Sequence, residues 1–174
     1  MANDIQKYTE SCLEELEKRV ESFSWENKAA YGSWLAQTYA YVCHSTRLLA
    51  IAGGRFLIDE DKLHQRFLKH ASEEKHHEQL AINDLKKLGY SISDFRELPQ
   101  TKAFYQVQYY WIEHVDPKLF YGYILALEGL AVSKGRYIFE RVAAAHGPSA
   151  ASFLKVHTAD DPDHLKTAFE YVKT

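Results

Sequence analysis

The sequence predicts an all-α domain of six or seven helices, on three observations. Apolar residues recur at helical spacing along most of the chain. Four prolines and eight glycines are few for this length, and most fall where those apolar stripes end. The connections between stripes are short, with no repeat at solenoid period and no low-complexity linker, which describes a helical bundle. All 174 residues are read as one domain, 1–174, large enough to bury a real core.

Taken in order, the first helix is expected from a cap at Asn3 or Asp4 to about Phe23. Ile5, Tyr8, Cys12, Leu16, Val20 and Phe23 make its stripe, while Glu14, Glu15, Glu17 and Lys18 read as solvated. Ser24 can cap a second helix running to Ala52 and ending at Gly53-Gly54. A third is expected from about Asp59 to Leu88, stopped by Gly89. Residues 90–99 read as a loop closing on Pro99, followed by an aromatic-rich fourth helix over roughly 101–114. Asp116-Pro117 offers a cap and a first-turn proline for the fifth helix, which reaches His146 before Gly147-Pro148. Residues from Ser149 to Val172 make the last helical segment.

Composition removes several function classes. A net charge of -3 supplies no basic patch for nucleic acid. No run approaches the roughly 18 apolar residues of a membrane span, and the N-terminus lacks a signal-peptide layout. Cys12 and Cys43 form no close motif, so reduced thiols and a cytoplasmic location are expected. The excess lies in 12 Tyr, 9 Phe and 9 His, and the histidines carry the next argument.

In the third helix the inward positions read Leu63, Phe67, His70, Glu74, His77, Ala81, Leu85 and Leu88, apolar at the ends and polar at the centre. The last segment repeats the pattern with Ala150, Phe153, His157, Asp161, His164, Ala168 and Tyr171. Both carry a histidine, an acid four residues on, and a second histidine three further, so on a helix the three groups share one face. Charge at a core position is costly unless it is paired or bound to metal. A hydrogen-bonded polar network without metal is the plain alternative. Glu73 and His76 lie about 100° round from the stripe and read as its rim, as Asp160 and Asp163 do on the last helix. Pro162 disfavours helical geometry at Asp161 and weakens the spacing argument there. On the fifth helix Glu128 is the lone acid of the apolar run Tyr121–Val132, and Gly122, Gly129 and Gly135 would let another helix come close. Four imidazoles and three carboxylates suit two iron or manganese ions better than structural zinc, calcium or magnesium.

At this point the chain resembles a known family. The run His70-Ala-Ser-Glu-Glu-Lys-His-His-Glu-Gln-Leu-Ala-Ile-Asn-Asp-Leu-Lys-Lys-Leu-Gly89 is similar to that family's third-helix signature. Gly122-Tyr-Ile-Leu-Ala-Leu-Glu-Gly129 is similar to its central glutamate helix, and His157-x3-Asp161-x2-His164 to its closing motif. Tyr41-Val-Cys-His-Ser-Thr-Arg-Leu-Leu49 is similar as well, and the order of the motifs over residues 30–170 agrees. The family is the haem-oxygenase-like diiron oxidases and oxygenases, often described as iron-containing redox enzymes, related by fold to thiaminase-like and PQQ-synthesis oxidase proteins.

The resemblance implies a haem-oxygenase-like bundle, two non-haem irons (manganese being the second candidate) and an oxidoreductase that activates dioxygen. It implies metal ligands at His77, Glu128, His157, Asp161 and His164. Members take the sixth from a glutamate three or seven residues before the helix-3 histidine. Glu74 meets the first spacing, and His70 stands at the second, as an extra ligand or a neighbouring group. His44, Tyr41 and Tyr110 are expected to line the pocket or support the ligands. The partners implied are dioxygen, a small substrate resembling an amino acid or fatty acid, and an electron donor; a homodimer is compatible, and no nucleic acid or membrane is expected. Two other readings stay open: a cofactor-free oxidase of the same fold, and a metal-binding or interaction protein without turnover. A haem oxygenase would need an axial histidine near the start of the chain, whereas the first is His44. A thiaminase-like enzyme would need Cys43 as nucleophile.

Overall fold

The computed structural model describes residues 2–158 and 168–169, with side chains from Ile5 onward. The described residues are helical and turn structure, with no strand among them. The helices are α1 (Ala2–Ser22), α2 (Lys28–Val42), α3 (Ser45–Arg55), α4 (Asp61–Glu73), α5 (His77–Lys87), α6 (Pro99–His114) and α7 (Phe120–His146), and residues 152–158 are helical as well. No helix among the described residues is long and apolar enough to cross a membrane. The chain forms two compact units: Met1–Gly32 with Tyr121–Thr174, and Ser33–Phe120.

In the first unit α1 approaches α7 through a missing side chain. A Cβ on Gly129 would lie 2.7 Å from Leu13 Cδ1, a distance that real Cβ contacts do not reach. Residues 152–158 meet α7 in a similar way, since a Cβ on Gly135 would stand 3.1 Å from Thr158 Oγ1. Gly122, expected to serve close approach too, has nothing within 4 Å of its Cβ position. The turn after α1 is held by aromatic rings with polar edges. Trp25 Nε1 donates to the Val20 carbonyl at 2.8 Å, and the buried Tyr31 hydroxyl donates to the Ala150 carbonyl at 2.8 Å. The Tyr31 ring stacks on His146 with centroids 5.4 Å apart, and His146 Nε2 lies 2.9 Å from the Trp25 carbonyl. Arg141 forks onto Glu26 at 2.6 and 2.7 Å, and this hydrogen bonding holds the Glu26 carboxyl below its usual range.

The second unit packs α3 on α4. Gly53 makes this possible: its Cβ would stand 3.2 Å from Phe67 Cβ, and His64 Nδ1 lies 2.8 Å from the Gly53 carbonyl. Gln37 on α2 pins the segment before α6, donating to the Arg96 carbonyl and accepting from the Leu98 amide and the Thr101 hydroxyl. Leu48, Leu49, Ala52, Phe67, Ile112 and Phe120 form the core.

Several expected boundaries are corrected. The cap of α2 is Asn27, whose Oδ1 accepts from the Ala29 and Ala30 amides at 3.0 Å each, and not Ser24. The expected second helix is two, α2 and α3, broken at Cys43-His44, and α3 runs through Gly53-Gly54 to Arg55. The expected third helix is also two, α4 and α5, separated at Glu74–His76. Gly89, at φ 78°, stops α5 as expected, with the Tyr90 amide reaching back to the Leu85 carbonyl. Asp116 does act as a cap, accepting from the Lys118 amide at 2.8 Å, although the first turn it starts is a short 3₁₀ turn leading into α7.

Candidate metal centre

The break between α4 and α5 falls inside the His–acid–His motif and shapes it. Glu74 terminates α4, its amide bonded to the His70 carbonyl at 3.0 Å. His76 then adopts φ 71°, ψ 7°, the left-handed region that costs an ordinary side chain energy. Among the described non-glycine residues it is the one with positive φ. A new helix starts at His77.

The turn leaves the Glu74 carboxylate between two imidazoles. Its Oε2 lies 3.3 Å from His77 Nδ1 and its Oε1 lies 3.7 Å from His70 Nε2. All three side chains are largely shielded: His70 is 7 % exposed, Glu74 11 % and His77 15 %. Two donors that each sit about 2.1 Å from one ion stand roughly 3.0–3.4 Å apart in octahedral or tetrahedral geometry. The Glu74–His77 separation is therefore what chelation of a single ion asks for. Glu73 is engaged differently, with Arg66 Nη1 at 3.2 Å and Lys69 Nζ at 3.4 Å, and His76 is exposed.

The first unit carries candidate donors of its own. Glu128 is buried at 7 % exposure on α7, in an apolar stretch with Ile124 and Leu125. It shares a face of α7 with Gly135, seven residues on, where Thr158 packs. His157 neighbours Thr158, and its ring lies 4.3 Å from that of Phe153. Glu128 Oε2, His157 Nε2 and, in the second unit, His77 Nδ1 are all shut off from solvent. Asp161 and His164 lie outside the described residues.

The remaining candidates fall in the second unit. His44, in the break between α2 and α3, has Nδ1 2.8 Å from the Tyr109 hydroxyl and its ring stacked on Tyr105 at 4.0 Å. Burial, helped by the Arg47 charge, holds the His44 imidazole below its ordinary pKa, while burial pushes the Tyr109 phenol up. The pair is thus neutral on both sides near pH 7. Tyr41 is half-buried and meets Phe104 edge-on at 5.6 Å; burial raises its phenol as well. Tyr110 is 56 % exposed and rests on Trp111 and His114. The Cys43 thiol is pushed up by burial, the opposite of what a thiolate nucleophile needs.

One buried acid escaped the sequence reading. Asp84 on α5 is fully buried, one of four buried polar residues among the described residues, with Thr38, His70 and Glu128. The signal was available: Asp84 follows His77 by seven residues and so shares its helical face.

Comparison with known proteins identifies the family. Residues 33–174 match the family described as iron-containing redox enzymes. The chain belongs to this family. Iron is the metal and oxidoreduction the chemistry that membership points to. No curated protein matches. A crystal structure of a domain of unknown function from Shewanella denitrificans OS217, described as having a heme oxygenase-like fold, is similar over 98 % of this chain and 78 % of that one. Its TM-score is 0.82 at 18 % sequence identity, so the likeness speaks for the fold alone, and this member of the iron-containing redox enzyme family has a haem-oxygenase-like fold.

Proposed function

We propose that this chain is a non-haem diiron oxidoreductase that uses dioxygen to oxidise a small organic substrate of amino-acid or fatty-acid type. The observation that carries the reading is the shielded Glu74 carboxylate at 3.3 Å from His77 Nδ1, the spacing of two donors on one ion. The proposed ligands are Glu74, His77, Glu128, His157, Asp161 and His164, with His70 close enough to Glu74 to steer its carboxylate or to join as a ligand. Glu74 and His77 by themselves offer a carboxylate and an imidazole to one metal ion. Carboxylate and imidazole together match iron, with manganese the second fit.

Bound iron would supply the electrons and the Lewis acidity that dioxygen chemistry requires. The rest falls to the chain. Glu74 and Glu128 would offset the positive charge of the metals in shielded surroundings, and His70 would steer the Glu74 carboxylate. The neutral His44 ring and the Tyr109 hydroxyl hold a proton between Nδ1 and the phenol oxygen. An external electron donor belongs to the reading, because a substrate that gives up two electrons does not reduce dioxygen fully to water.

Anaerobic loading with ferrous iron, followed by metal analysis and oxygen-uptake measurements with amino acids and fatty acids, tests the proposal. Metal uptake is expected to fall sharply in Glu128→Ala and His157→Ala, together with substrate-dependent oxygen uptake. A folded protein that takes up no iron or manganese would remove the diiron reading. Wild-type oxygen consumption in both variants would leave the cofactor-free oxidase in its place. Tight metal binding without oxygen uptake on any substrate would leave the metal-binding protein.

A further inference from the structure

Helix α6 is apolar on two sides. Tyr105 and Ile112 point into the second unit and are buried. About 180° away, Val107 (41 % exposed), Tyr110 (56 %) and Trp111 (40 %) face solvent, with Phe104 at the edge of the stripe and Val115 (54 %) and Leu119 (47 %) prolonging it past the helix end. Around the outward face the sequence offers Gln100, Ala103 and His114 but no formal charge. Lys102, Gln106 and Glu113 stand exposed on the flank between the two apolar sides, so the outward stripe is a second apolar face of an otherwise solvated helix.

We infer that the outward face of α6 is a self-association surface, on which a second copy of this chain packs its own α6 about a twofold axis. The area argues for this occupant. Side chains of these types span roughly 150–250 Å² each, so the exposed fractions amount to about 400–500 Å² of apolar surface. A standard interface buries about 800 Å² per partner, and in homodimers about 65 % of that is apolar, hence on the order of 500 Å². The outward face of α6, with Val115 and Leu119 beyond its end, thus supplies about the whole apolar share. Its composition agrees, since Trp, Tyr and Phe are enriched in interface cores while charge is depleted. A twofold contact needs a patch that complements itself, and an uncharged helical stripe packs against its own copy in antiparallel register with Val107 at the twofold axis. The inference stands independently of the metal centre.

Analytical ultracentrifugation of the full chain gives the test. The wild type is expected to sediment at twice its 20.1 kDa chain mass. Trp111→Glu and Val107→Glu, which place charges in the middle of the stripe, are expected to sediment at the single-chain mass with unchanged helical circular dichroism. If either variant fails to fold, Val107→Cys in a Cys12→Ser, Cys43→Ala background replaces it, with a disulfide-linked dimer expected on mild oxidation. A monomeric wild type at high protein concentration overturns the inference. So does a dimer that persists in both folded glutamate variants, which would put the contact elsewhere. A monomeric wild type that binds zwitterionic lipid vesicles through Trp111 would assign the face to a membrane surface instead.

Discussion

At the scale of single residues, His76 and Glu74 carry the most information. The left-handed backbone at His76 costs roughly 1 kcal/mol or more for a residue with a Cβ, and glycine or asparagine accepts it with less strain. His76→Gly is therefore expected to raise stability by up to about 1 kcal/mol, read as a higher thermal midpoint. A lower midpoint would mean that the His76 side chain contributes more than its backbone costs. Next door, Glu74→Gln keeps the shape and removes the charge, so iron uptake is expected to drop at least about tenfold, the loss seen when support of a metal site is damaged. Glu73→Gln, which loosens only the contacts with Arg66 and Lys69, is expected to leave uptake unchanged. His44 makes a pH prediction. Its folded pKa lies below the ordinary 6.5, so the unfolded chain binds the proton more readily. The stability this contributes is complete above pH 6.5 and is lost as pH falls from there through the folded value. Urea midpoints are expected to decline across that window in wild type and to flatten in His44→Gln. Glu26, held down by Arg141, loses its contribution only below its ordinary 4.5, so the two declines begin at different pH.

At the scale of elements, the glycines of α7 invite a paired test. Gly129→Ala would drive a methyl into Leu13 and is expected to destabilise the protein by about 1–3 kcal/mol, the usual range for overpacking. Gly122→Ala, with open space at the Cβ position, is expected to stabilise by about 0.5–1 kcal/mol. Chemical denaturation of both variants gives opposite signs, and equal signs would refute the packing account of α7. The same elements show how much was legible beforehand. Hydrophobic periodicity revealed the helices, and Gly89, Pro99, Asp116 and Gly147 marked their ends, because each does local work in backbone geometry. The breaks at Cys43-His44 and Glu74–His76 were hidden, since no proline or glycine marks either and the apolar stripe runs on across them. Conversely, Gly53 reads as a helix stop yet lies inside α3, where a tertiary contact with Phe67 requires a residue without a side chain. In the candidate site, polar residues in an apolar stripe were enough to single out His70, Glu74, His77 and Glu128. Asp84 was passed over because it completes no repeated motif, and the contact of His44 with Tyr109 joins residues 65 apart, beyond what periodicity can report.

At the scale of the whole molecule, metal and stability should be coupled. An ion bound only by the folded chain stabilises it by mass action, so ferrous iron is expected to raise the thermal midpoint of wild type under anaerobic conditions. The shift should vanish in Glu128→Ala; a shift of wild-type size in that variant would place the ion away from the proposed ligands. The order of segments has a further outcome, in time and not in space. The unit that opens the chain is completed only by residues from Tyr121 onward, and the 88 residues Ser33–Phe120 come between. At about 5–20 residues per second, the ribosome takes roughly 4–18 seconds to make them. For that interval α1 has been made without α7, and in its second half Glu74 and His77 exist while Glu128 and His157 do not. From His77 until Glu128 is added, the nascent chain holds two of its six proposed donors, and ferrous iron has its full set of partners only once His164 has been made.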